Sequence, residues 1–289
     1  MHQEKQRKAW SDYWSSPVEA TATCLPGLPA EVNDLFHQKW RIFFDRLQNG
    51  GRLLDLGTGS GAVLKRAKAQ RPDLHLTGID YSEQAVNLGE GITLHSGIMM
   101  ELLPFEDNSF SAVSSQFALE YGNTGQVAQE IIRVMADDGV YCFICHHAGG
   151  VIARDNSHRL SAGKALTIPT GLLDQAINAV RKGKKSAPQT KQRLARLFEA
   201  TRARHAGQSI VDEVGRDMAR MMAEPATLKN LVDLRHRVRQ EGVRIEALLR
   251  AALSEEQAAR LAALFPSSSL NVLSIPATDI PLAWIITNA

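Results

Sequence analysis

Three glycines at alternate positions, Gly57, Gly59 and Gly61, follow the apolar residues Leu53, Leu54 and Leu56 and precede a helical pattern that begins AVLKRA. Glycine lets a backbone turn sharply and lets a ligand lie against the main chain, and the start of a helix offers free N–H groups beside it. The spacing G-x-G-x-G brings the last glycine one residue earlier than the dinucleotide pattern G-x-G-x-x-G, which weakens a nicotinamide oxidoreductase reading. Asp80 ends the apolar run LTGID, where a carboxylate can accept hydrogen bonds from both hydroxyls of a ribose. Beyond two later runs come Glu120-Tyr121 and His146-His147. Histidine titrates near neutrality and suits proton transfer from a phenol, thiol or amine, so His146 and His147 are candidate general bases, with Glu120 as a third.

These groups need elements to hold them. From residue 52 to 147, strand-length apolar runs alternate with helical patterns: RLLDL, a helix from Ser60, LHLTGID, a helix from Ser82, ITLHS, FSAVSSQ, a helix near 124–136, and VYCFICHH. That alternation predicts βαβ units and a parallel sheet covered by helices. Asp73, Gly91, Asp107-Asn108 and Asp137-Asp138-Gly139 stand where turns must return the chain to a strand. After His147 the periodicity becomes helical, as in LLDQAINAV, MARMM and LVDLRHRV, until LNVLSIPA and PLAWIITNA restore a strand pattern suited to an antiparallel pair. The expected fold is α/β: a doubly wound, mostly parallel seven-stranded sheet with an antiparallel last strand and a helical insertion. Its expected organisation is an N-terminal helical cap over 1–50, a cofactor-binding core over 51–149, a basic helical insertion acting as substrate cap over 150–265, and a final strand pair over 266–289. Ligands of such sheets bind beyond the carboxyl ends of the strands, where all the residues named above fall.

The formal net charge of +2 hides a division. Residues 150–265 hold 21 basic and 12 acidic side chains, and the rest of the chain 12 and 19. The basic stretch, with Arg181-Lys182-Lys184-Lys185 and Arg235-Arg237-Arg239, suits a phosphorylated or carboxylated small molecule, an acidic carrier or RNA. RNA is the less favoured partner, because Phe198 and Phe265 are the stretch's only aromatics for stacking bases. With a charged start, no bilayer-length apolar run and three cysteines, Cys24, Cys142 and Cys145, the sequence reads as cytoplasmic and without disulfides. Cys142-Phe143-Ile144-Cys145-His146 formally matches the haem-attachment pattern C-x-x-C-H. It lies inside a predicted buried strand, where residues three apart point to opposite faces, so neither haem nor metal is expected.

The loop and two further segments together resemble the class I S-adenosylmethionine-dependent methyltransferase family. LPFEDNSFSAVSSQFALEY, residues 103–121, is similar to that family's segment around the fourth strand, and EIIRVMADDGVYCFI, residues 130–144, to its passage from helix to fifth strand. The resemblance covers residues 52–147. It implies S-adenosylmethionine as cofactor, with Asp55 and Gly57, Thr58, Gly59 and Gly61 around its methionine part, Asp80 at the ribose, Tyr81 as a further cofactor contact, and Gln116 and Phe117 beneath the sulfonium. The family often carries an acid after the third strand that bonds the adenine amine. Ile98, Met99 and Met100 stand there instead, so the implied adenine contact is apolar, through Ile98 or Met99. Trp10, Tyr13 and Trp14 share one helical face, and an N-terminal aromatic helix often closes over the cofactor in resembling enzymes, which makes Tyr13 a further candidate contact.

The expected activity is methylation of an O, N, S or C atom of a small organic molecule by in-line transfer. The alternatives are an RNA methyltransferase that uses the basic stretch as a clamp, and a non-catalytic subunit that keeps the fold for binding or assembly. The methyl acceptor and the oligomeric state are not legible in these residues.

Overall fold

The computed structural model describes residues 10, 11, 13, 30–83, 88–224 and 227–289; Trp14, Cys24 and most of the helix expected from Ser82 lie outside them. Leu53, Leu54 and Leu56 are completely buried on β1 (Arg52–Leu56), an interior strand of a seven-stranded sheet. The other strands are β2 (His75–Asp80), β3 (Ile92–Ser96), β4 (Phe110–Gln116), β5 (Met135–His146), β6 (Ser269–Ser274) and β7 (Pro281–Thr287), in the order β3-β2-β1-β4-β5-β7-β6. Pairings among β1 to β5 are parallel, and β7 runs antiparallel to both β5 and β6. This is the expected α/β sheet with its last strand reversed. The order turns about between β1 and β4, which opens a crevice at their carboxyl ends.

Burial explains the layers. Leu54, Leu56, Val113, Phe143 and Cys145 share one core with Val127 and Ile131 of α3 (Thr124–Val134) and Ala258 and Leu261 of α9 (Glu255–Ala262). α1 (Ala30–Asp45) and α2 (Ala62–Gln70) pack on each other and bury Phe36, Trp40, Phe44 and Leu64. Arg71 ties the end of α2 to the end of α1: its guanidinium donates to the Phe44 and Leu47 carbonyls at 3.0 and 2.9 Å. Asn123 caps α3 by accepting the Gln126 amide, and a Ser254–Gln257 capping box starts α9.

One expected turn takes another form. Asp137-Asp138-Gly139 belongs to β5, but Phe110 pairs with Met135 and Ala112 with Val140, so a short step on β4 faces a longer one on β5. Asp137 and Asp138 stand out exposed in this bulge, which keeps two carboxylates in water without ending the strand.

The helical stretch divides. Arg154–Leu249 is a compact unit of its own, containing most of α4 (Val151–Thr167), then α5 (Leu172–Arg181), α6 (Pro188–Arg204), α7 (Ser209–Ala223) and nearly all of α8 (Thr227–Ala251). Its core gathers Leu166, Leu172, Leu173, Ile177, Val214 and Leu231. Within it Arg159 pairs with Glu213 and Glu241, and Asp174 with Arg235. Residues 255–265, read from sequence as part of the insertion, supply α9 and Phe265 to the core of the sheet. The segments flanking the helical unit meet at the end of β5: the Leu253 amide donates to the His146 carbonyl at 2.8 Å, and the Ala148 amide to the Leu253 carbonyl at 2.9 Å. Among the described residues no helix is long and apolar enough to cross a membrane.

Candidate functional site

The loop after β1 adopts a backbone that only glycine tolerates easily. Gly57, Gly59 and Gly61 have φ of 64°, 50° and 75°. A Cβ on Gly57 would lie 2.3 Å from the Cβ of Ala118, and one on Gly61 would lie 2.6 Å from Leu88 Cδ2. The loop is tied to the end of β2: the Thr58 amide donates to the Ile79 carbonyl at 2.9 Å, and the Gly59 amide to Asp80 Oδ2 at 2.8 Å. Asp80 Oδ1 accepts the amide and hydroxyl of Ser82 at 2.8 and 2.6 Å. One carboxylate therefore holds the glycine loop and the following turn in register.

Beside it lies a cleft at the carboxyl edge of the sheet. Of the residues singled out from sequence, Gly57, Asp80, Tyr81, Met99, Gln116 and Phe117 line it. Trp10, Ser82, Met100 and Tyr121 line it too, together with Glu101, Ala118 and Gly122, none of which was a candidate contact from sequence. Gln116 is oriented from behind, its side-chain oxygen accepting the Trp40 indole N–H. Phe117 has φ 57°, unusual outside glycine, and its ring is held between Phe36 and His146.

Several expected contacts lie elsewhere. Thr58, Gly59 and Gly61 shape the loop without lining the cleft, and Ile98 packs against the core of the sheet. Tyr13 is buried in edge-to-face contact with Trp10, which itself meets Tyr121 edge-on. Asp55 lies under the loop, almost fully buried, and accepts a 2.7 Å hydrogen bond from Ser114 on β4. Burial pushes its carboxyl up to about 7, against the opposing effect of the Ser114 hydroxyl.

The candidate bases separate by environment. His146 and Glu120 form a buried pair: His146 Nδ1 lies 2.7 Å from Glu120 Oε1, which also accepts the His146 amide at 2.8 Å. With Nδ1 donating to this oxygen, Nε2 would be the ring nitrogen left to accept. The ring touches the cleft residues Phe117 and Tyr121, with centroids 4.3 and 6.0 Å away. His147 instead stacks on Trp284 at 4.4 Å and accepts the Gly149 amide at Nδ1, and burial lowers its pKa. Cys142 and Cys145 are buried on β5, and burial pushes the Cys142 thiol up to about 12. Among the described residues no group of His, Cys, Asp and Glu is placed to hold a metal ion.

A carboxylate stands at the end of β2 beside a loop with no room for a side chain at Gly57 or Gly61, and Met99, Met100 and Phe117 supply an apolar wall. Residues 54–143 match the family model described as "Methyltransferase domain". The chain is 32% identical over 143 residues to the ubiquinone/menaquinone biosynthesis C-methyltransferase UbiE of Geotalea uraniireducens, covering 45% of this chain and 57% of that protein. It is 36% identical over 118 residues to a demethylmenaquinone methyltransferase of Listeria monocytogenes, covering 36% and 49%. The matches thus span about half the length of these curated relatives. Among solved structures, an S-adenosylmethionine-dependent methyltransferase from Aquifex aeolicus aligns with TM-score 0.37 and 19% identity, over 42% of this chain and 69% of that one. A geranyl diphosphate C-methyltransferase from Streptomyces coelicolor aligns with TM-score 0.38 and 16% identity, over 48% and 64%.

Proposed function

Because residues 54–143 belong to the class I S-adenosylmethionine-dependent methyltransferase family, we propose that the chain transfers a methyl group from that cofactor to a small organic molecule. One relationship carries the reading: Asp80 accepts the Gly59 amide beside three left-handed glycines, at the mouth of a cleft on the carboxyl edge of the sheet.

The cofactor would supply an activated methyl and its own leaving group, so the protein's part is binding, alignment and exclusion of water. Gly57 and its loop would receive the methionine part, Asp80 and Tyr81 the ribose, and Met99 one face of the adenine. Gln116 and Phe117 would form the floor beneath the sulfonium, Gln116 steadied by Trp40 and Phe117 by Phe36 and His146. When the acceptor atom carries a proton, His146 is the proposed base, taking it on Nε2, with Glu120 positioning the ring rather than acting itself. Acceptors resembling the quinone precursors implied by the names of the curated relatives are the first to try. The helical unit Arg154–Leu249 is the proposed source of acceptor choice, since it enters the chain immediately after β5.

Calorimetry with S-adenosylhomocysteine tests the site. The intact protein should bind at micromolar levels, and Asp80→Ala or Gly59→Val should weaken binding at least tenfold. Unchanged binding in both variants would refute the assignment.

A further inference from the structure

Within the helical unit Arg154–Leu249, glycines stand inside three helices: Gly163 in α4, Gly215 in α7 and Gly242 in α8. Glycine in a helix interior is destabilising, so each of these positions calls for a reason. For Gly215 the reason is packing, because a Cβ there would lie 2.3 Å from the Phe198 ring. Gly163 and Gly242 have no such reason. Neither has a positive φ, and an added Cβ would meet Ile210 and Val238 at 3.5 and 3.6 Å in one case and Leu160 at 3.5 Å in the other, which is ordinary van der Waals contact.

The two glycines share an opening instead. Both line a cavity of about 150 Å³ between α4, α7 and α8, a volume that accepts a benzene ring. Leu160, Ile210, Val238 and Ile245 give it apolar walls. Every residue around it belongs to the helical unit, and none lines the cofactor cleft.

The charged groups around the cavity differ in how far they are committed. Arg159 pairs with Glu241 at 2.6 Å and Glu213 at 3.0 Å, and Lys164 pairs with Glu246 at 2.7 Å, so both carboxylates of the lining already hold a cation. Arg239 donates one hydrogen bond, to the Thr167 carbonyl at 2.8 Å, and stands 3.6 Å from Asp174, whose other oxygen holds Arg235 at 2.6 Å. The rest of this half-exposed guanidinium makes no hydrogen bond among the described residues.

We propose that the cavity binds a small carboxylic acid with a compact apolar body about one ring in size. The body lies against Gly163 and Gly242, and the carboxylate meets Arg239, whose planar fork suits it. Glycine at these two positions keeps the space clear at the expense of helix stability.

Benzoate is the probe, titrated into the full chain and followed by methyl NMR. It should bind at about a millimolar or tighter and shift the methyl resonances of Leu160, Ile210 and Val238. Gly242→Leu fills the space and should abolish those shifts. Arg239→Gln, which leaves the cavity open, should weaken benzoate at least fivefold. Gly163→Ala and Gly242→Ala should each raise the melting temperature by about 2 °C, because the helix gains and nothing is crowded. Absence of those methyl shifts at about ten times the expected dissociation constant, or undiminished binding in Gly242→Leu, overturns the site. Undiminished binding in Arg239→Gln overturns the placement of the carboxylate, and a lowered melting temperature in both alanine variants shows that the glycines serve packing and overturns the proposal.

Discussion

Oε1 of Glu120 lies 2.7 Å from Nδ1 of His146, and the two side chains are 0% and 4% exposed. Removing one member strands the other away from water. His146→Phe should therefore cost about 3 kcal/mol, lowering the melting temperature by roughly 5–10 °C. The double variant Glu120→Leu, His146→Phe should recover part of that loss, since it leaves no buried charge behind. Thermal unfolding of the three proteins checks this, and a double variant less stable than His146→Phe would contradict it.

The same pair predicts a division of labour in turnover. Glu120→Gln should lower kcat by about tenfold to a hundredfold with KM little changed, because a neutral amide that can also donate replaces the acceptor-only carboxylate that orients the ring. It should also shift the pH–rate profile. An unaltered profile in Glu120→Gln would remove Glu120 from the positioning role.

Gly57→Ala tests the cradle without adding bulk beyond one methyl. That methyl meets Ala118 at 2.3 Å on a backbone with φ 64°. Strain of about 1–3 kcal/mol is expected together with loss of S-adenosylhomocysteine binding. The paired variant Gly57→Ala, Ala118→Gly removes the contact and should restore stability in part, read by denaturant titration.

Asp55 gives a pH signature with a definite sign. Burial raises its folded pKa to about 7, above the value of about 3.9 for an unperturbed aspartate. The unfolded chain therefore releases its proton first. The group's contribution is fully present below pH ~4 and is lost as pH rises to about 7. Asp55→Asn should flatten this slope, so the variant gains on the wild type between pH 4 and 8 in urea titrations. A difference that does not change with pH would show that Asp55 is not protonated in the folded protein.

The sequence made the sheet legible because burial on both faces demands apolar runs, and RLLDL, FSAVSSQ and PLAWIIT supply them. The glycine loop was legible because few residues other than glycine fit its three left-handed positions. Position along a strand said less about which way a polar side chain is used. Asp55 pairs in register with Ser114 and bonds to it under the loop, whereas its place before the first glycine suggested ligand contact. Ile98 turns into the core while its neighbour Met99 lines the cleft, a difference of one residue that no periodicity marks. Glu101, Ala118 and Gly122 were missed because their role arises where two loops meet, not from a local pattern.

The hydrogen bonds that join His146, Leu253 and Ala148 leave the two ends of a long helical excursion side by side on the sheet. A connection of a few residues would span the same gap. Adjacent ends make the excursion separable from the sheet in covalent terms. Deleting 154–249 and joining the ends with a short glycine-serine linker should yield a chain that still folds and binds S-adenosylhomocysteine. If it does, exchanging the unit between relatives as a block tests the proposal that it sets acceptor choice.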